Sequence, residues 1–304
     1  MNAHFRERLT RNPVVLKELR GRMRGNRAFV VLTAHLGLIS LFAVLLYFAY
    51  TASSSNVYGP SSQIAGKVVF GGIVGIELLI VCFVAPAFTA GAISGERERQ
   101  TYELLRTTLL PARSLVLGKL VSALSFVVLL LFAAIPLKSL AFLLGGVAPE
   151  EVAISLVILV ATTMVSGAVG IFFSAIMRRT LGASVLTYVF ALVFVLGLPL
   201  LMIVLIPAYQ YFFYSYNSSP GPVLEAALIY GFGLLVAVNP LATAVFTEVF
   251  LIEDHSAFGR AYALSNGSAI PLPSPWIPYT LFCLFLSLVL VLVTIQIVKR
   301  KETS

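Results

Sequence analysis

The chain has 304 residues, 59% of them hydrophobic and only 11% charged, with a formal net charge of +8. A soluble domain carries about 25% charged residues, so a mean hydropathy of +0.97 excludes an ordinary globular protein. The composition is that of a polytopic membrane protein. A positive balance in such a chain reflects its loops on one membrane face rather than a nucleic-acid partner.

In chain order, residues 1–27 come first and lack the short apolar core of a cleavable signal. Within them, "NPVVLKELRGRMRGNR" opens with a good helix start, Asn12 as N-cap and Pro13 in the first turn. Val15, Leu16, Leu19 and Met23 fall on one face, with Lys17, Arg20 and Arg24 opposite or beside it. This is an amphipathic helix suited to the inner headgroup layer, so membrane lipid is an expected partner. It serves either as a topology anchor or as a mechanical link to the core.

Apolar runs long enough to cross a ~30 Å hydrocarbon layer follow at 28–51, 65–93, 115–137, 152–177, 181–206 and 276–298. The two cysteines, Cys82 and Cys283, both fall inside such runs and carry no message about redox compartment. Basic residues set the orientation. Residues 1–27 hold eight, Arg97, Arg99, Arg106, Arg113 and Lys119 follow the second run, and Arg178 and Arg179 follow the fourth. With Lys299, Arg300 and Lys301 in the tail 299–304, 18 of 21 basic residues lie on one side of a six-span chain with both ends in the cytoplasm. The expected location is a prokaryotic inner membrane.

The segment 207–275 is the exception to simple alternation. It begins with an uncharged, aromatic stretch, "PAYQYFFYSYNSSPGP", fitting an outer interfacial belt. The apolar stretch 223–250 contains Gly231, Gly233 and the pair Asn239-Pro240, which interrupt a continuous helix. A seventh span would also export the basic tail. The stretch therefore reads as a re-entrant or outward-lying helical pair, with a true span as the alternative. After it, "EDHSAFGRAYALSNGSAIPLPSP" reads as a polar external loop.

Most of the charge outside the N-terminus sits in "ISGERERQTYELLRTTLLPARSLVLGKL", between the second and third runs. Its charges alternate in sign, and Glu96/Gln100, Arg99/Glu103 and Glu103/Arg106 stand at helical spacing. It also carries Tyr102, Leu104, Leu105, Leu109 and Leu110, apolar groups costly to leave in water. A short helix of this kind, hung between two spans, is either a docking surface or a hairpin with a solvated face.

This stretch resembles the permease subunits of ABC-2-type transporters, where Gly-Glu-(Arg/Lys)-Glu leads into Thr-x-Glu-Leu-Leu and ends at Leu-Gly-Lys. The matching positions are Gly95, Glu96, Arg97, Glu98, Thr101, Glu103, Leu104, Leu105, Leu117, Gly118 and Lys119. Gln100 departs from a frequent Gly and Leu109 from a frequent Pro. "NPVVLKELR" is also similar to the family's opening. The resemblance implies an all-α ABC-2 fold of the type V exporter kind. That fold has six transmembrane helices, an N-terminal amphipathic interfacial helix, a coupling helix in 94–114 and re-entrant or extracytoplasmic helices between spans five and six. It implies a permease, with export the expected direction, working as a dimer with a second copy or paralogue and with two cytoplasmic ABC ATPase subunits. Glu96, Arg97, Glu98, Arg99, Thr101, Tyr102, Glu103, Leu105 and Arg106 are then the candidate ATPase-coupling residues.

The chain has no Gly-x-x-x-x-Gly-Lys-(Ser/Thr) phosphate loop. ATP and Mg are therefore expected on the partner and no cofactor in this chain. Neither a His-Glu-x-x-His nor a Gly-x-Ser-x-Gly signature occurs, so the chain is not read as an enzyme. An ion-gradient-driven secondary transporter is the alternative, but no convincing repeat supports it. Glu77 is the one carboxylate deep in a span, near Gly71 and Gly75, which make a small-xxx-small face. These three are candidates for the translocation path or dimer seam; a carboxylate hydrogen-bonded to a neighbouring helix is the other reading of Glu77. Gly167, Gly170 and Ser174 suggest close packing of span four, and His35 reads as a packing residue.

Overall fold

A computed structural model describes residues 26–53, 62–100, 111–197, 199–204, 207, 221–253, 256–264 and 266–303. The expected N-terminal amphipathic helix lies outside them, as do Thr101, Tyr102, Glu103, Leu105 and Arg106. The described residues are mostly helical, and six helices are long and apolar enough to cross a membrane. They are Ala28–Ser53, Ser62–Glu98, Ala112–Leu144, Pro149–Ile176, Thr180–Val204 and Trp276–Arg300. Helices satisfy every backbone group internally, which is what hydrocarbon demands of a single-segment span.

Span one is α1 (Asn26–Ser53). Span two is α2 (Ser62–Thr89), a turn, and the short α3 (Ser94–Glu98). Pro86 lies inside α2 and removes one backbone donor; Thr89 Oγ1 donates to the Ala85 carbonyl at 3.0 Å, and the helix gives way one residue later. Span three is α4 (Ala112–Ala133) and α5 (Ile135–Leu144), separated at Ala134, with Pro136 in the first turn of α5. It therefore extends past the expected end at 137, and Lys138 stands inside it. The remaining spans are α6 (Pro149–Ile176), α7 (Thr180–Leu192) continuing into a π-turn at Val193–Gly197, and α10 (Trp276–Thr303).

Between spans five and six come α8 (Pro222–Val236) and α9 (Pro240–Glu253). At 15 and 14 residues they are about 22 and 21 Å long, each too short for a ~30 Å layer. Asn239 organises this region. Its Oδ1 accepts from the Ala242 amide at 2.9 Å, capping α9 with Pro240 as the first helical residue. Its Nδ2 donates to the Phe194 and Val195 carbonyls of the π-turn at 2.7 and 2.9 Å. The rings of Phe232 and Phe246 pack edge-to-face across α8 and α9, 5.4 Å apart.

The segment expected to be a polar external loop contains an antiparallel hairpin, β1 (Gly259–Ala263) and β2 (Ala269–Pro273), with Tyr262 opposite Ile270. Pro271 and Pro273 argue against a strand in the interior of a sheet, but a two-stranded ribbon is all edge and tolerates residues without an amide donor. Tyr230 of α8 donates its hydroxyl to the Pro271 carbonyl at 2.8 Å.

The chain packs as two compact units, one of residues 1–147, 159–189 and 283–304, the other of 148–158 and 190–282. Within the first, Ile93, Ala112, Val116, Leu120, Ala168, Ile171, Ala175, Val291 and Val298 form an apolar cluster. The end of span two, the start of three and the ends of four and six therefore meet.

Candidate coupling joint

A helix of five residues cannot hold its own shape in isolation, so α3 depends on what its ends touch. Its first amides, Ile93 and Ser94, donate to Ser174 Oγ of α6 at 2.9 and 3.0 Å, and the two serine hydroxyls lie 3.2 Å apart. Ser94 and Ser174 are fully buried. A hydroxyl from span four thus does for α3 what an N-cap residue does within a chain.

Span four is capped in return. Arg97 Nη1 donates to the Ala175 carbonyl at 2.9 Å and to the Met177 carbonyl at 3.4 Å, at the end of α6, where carbonyls run out of intrahelical donors. A cation is electrostatically favoured at a helix C-terminus. The next residue serves the next helix. The Glu98 carboxylate accepts from the Thr180 amide at 2.9 Å and from the Thr180 hydroxyl, capping the N-terminus of α7 with negative charge. Glu96 pairs with Lys119 of α4 at 3.2 Å. Three successive side chains thus tie α3 to spans three, four and five.

Close helix approach supports the joint. A Cβ on Gly170 would stand 2.0 Å from Thr89 Oγ1 and 3.2 Å from the Ala90 amide nitrogen, and one on Gly167 would stand 2.4 Å from Leu124 Cδ2. Span four therefore presses on the end of α2 where it gives way to α3. Past Arg99, the chain turns at Gln100, whose φ of 57° is left-handed. Its amide donates to the Arg97 carbonyl at 3.1 Å. A glycine would take this helix-terminating position without Cβ strain, which accounts physically for the Gly often found there in the resembling permeases.

Glu77, Gly71 and Gly75 do not come together. Gly71 and Gly75 have no atom within 4 Å of a would-be Cβ, so that face of α2 is open. Glu77 points the other way, fully buried, with its carboxylate 2.6 Å from Lys138 Nζ of α5, itself fully buried. Lys138 escapes sequence reasoning because the apolar run ends one residue before it. A carboxylate at membrane depth needs a counter-charge, and that need is the available signal. His35 hydrogen-bonds the Leu130 carbonyl and is nearly buried, consistent with packing. Among the described residues no cluster of three or more His, Cys, Asp or Glu could hold a metal ion.

Comparison with protein families matches residues 13–252 to the family described as ABC-2 family transporter protein. The chain belongs to that family. The match spans the joint, the Glu77–Lys138 pair and the α8–α9 helices, and ends before the hairpin and span six. No curated protein gives a significant match. This ABC-2 chain is accordingly an integral membrane protein and the permease component of an ABC transporter.

Proposed function

We propose that this permease exports its substrate, driven by a separate cytoplasmic ABC ATPase that pushes on the segment beginning at α3. The observation that carries this reading is the reciprocal capping at the joint. Ser174 holds the start of α3, Arg97 holds the end of span four, and Glu98 holds the start of span five. A force on α3 cannot displace it without stressing three other spans. Arg99 and the coupling residues beyond Gln100, Thr101, Tyr102, Glu103, Leu105 and Arg106, would supply the ATPase-facing surface, while Glu96, Arg97 and Glu98 transmit.

The basic residues support an orientation with the joint and both chain ends in the cytoplasm. With six spans and cytoplasmic ends, the chain between spans five and six would start and finish on the far side of the membrane. Its two short apolar helices fit a re-entrant pair. Two ATPase copies and a second permease copy or paralogue complete the assembly, with the open Gly71–Gly75 face of α2 available to the seam. ATP and Mg would reside on the ATPase.

Co-purification tests this reading. A soluble ATPase should remain bound to the detergent-extracted chain and should hydrolyse ATP faster in its company. Extraction of the permease with no ATPase attached, and no acceleration on mixing, would refute it.

A further inference from the structure

The Glu77–Lys138 pair has no part in docking an ATPase, yet it is the most enclosed charge pair among the described residues. It joins the middle of α2 to α5, the part of span three beyond the break at Ala134. At the break α4 stops at Ala133, and α5 follows with the Leu137 and Lys138 amides both donating to the Ala134 carbonyl. Breaking one side of such a pair leaves an uncompensated charge in a medium that cannot solvate it. His35, the other buried titratable group near Lys138, is engaged with the Leu130 carbonyl through its ring.

The same two helices are fastened at a second place. A Cβ on Gly66 of α2 would stand 2.1 Å from the Gly145 carbonyl oxygen and 2.9 Å from that of Ala141. Gly146, with φ of +84°, brings its backbone against Gln63, where a Cβ would stand 2.3 Å from the carbonyl oxygen. Residues 66 and 77 are about 16 Å apart along the helix at 1.5 Å per residue. One ionic and one steric attachment, separated by that length, suppress both sliding and rotation.

We propose that Glu77 and Lys138 stay paired through the transport cycle and clamp α5 to α2, so that the two helices move as one rod. Both are positioning residues. Movement imposed at α3, on one end of span two, is thereby delivered to the Gly145–Gly146 turn at its other end. The delivery rests on the ATPase-driven reading of α3; the clamp does not.

The experiment places nitroxide labels at F83C on α2, away from the Gly71–Gly75 face, and L143C on α5, both exposed positions, in one protomer of the permease bound to the ATPase that co-purifies with it. Native Cys82 and Cys283 are buried and should not compete for label. The inter-label distance should agree within about 2 Å between nucleotide-free and ATP-trapped complexes, and the distribution should broaden in E77L. A nucleotide-dependent change of more than about 5 Å, far beyond side-chain play in a packed contact, would overturn the clamp. The yield of folded, extracted protein tests the pairing independently. E77L and K138M should each lower that yield severalfold, and E77L/K138M should recover most of it, because hydrophobic replacement of both charges leaves nothing uncompensated. A double variant no better than the worse single variant would also overturn the pairing. Failure of any ATPase to bind would overturn the coupling reading and the delivery of movement with it, while the yield comparison would still confirm or overturn the pairing.

Discussion

Two regions of the same span use a glutamate to opposite ends. At the joint, Glu98 meets Thr180 in the open, and solvent can replace each bond as it breaks. Inside the bundle, Glu77 meets Lys138 where nothing can replace either partner. Exposed polar contacts are weak and exchangeable, whereas an enclosed ion pair is costly to divide although it adds little net stability. The proposed ATPase-driven movement would use both kinds: joint contacts that pass force to three other spans and re-form after it, and an enclosed pair that keeps two helices together meanwhile.

The contrast sharpens into a ranking of variants. Lys138→Met should be the most damaging, destabilising the extracted protein by about 3–5 kcal/mol through the stranded Glu77 carboxylate, as read by thermal or denaturant melting. Gly170→Ala should cost about 1–3 kcal/mol in the same assay, since its methyl meets Thr89 Oγ1 at the end of α2. Ser174→Ala comes next at about 1–3 kcal/mol, because the buried amides of Ile93 and Ser94 lose their acceptor; faster proteolysis near α3 should accompany it. Glu98→Ala should leave the melting point nearly unchanged while loosening the start of α7, seen as faster amide exchange at Thr180. Gln100→Gly should be the one gain, about 0.5–1 kcal/mol from relief of the left-handed backbone. Glu98→Ala melting as low as Lys138→Met would erase the distinction between the two regions.

Much of this is legible in the sequence. Hydropathy locates six spans, and charge alternation locates the island that contains the joint. What stays hidden is partnership. Ser174, Ala175 and Thr180 lie 78 to 82 residues from the groups they bind, so no local spacing reveals them. Span three reads too short for a related reason. Hydropathy stops at a lysine, and only the carboxylate on α2 explains why a lysine can stay in the run. The hairpin is concealed by its prolines, which speak against a strand, while the pairing that tolerates them is set by β1 across the turn.

The most direct test is the ATP hydrolysis rate of the co-purified complex with wild-type permease and with Arg97→Ala/Glu98→Ala. The double variant should still bind the ATPase, whose docking surface begins at Arg99 in the proposed function, yet lose the permease-dependent part of hydrolysis by about tenfold. Retention of that acceleration, with the complex intact, would show that force does not pass through the joint.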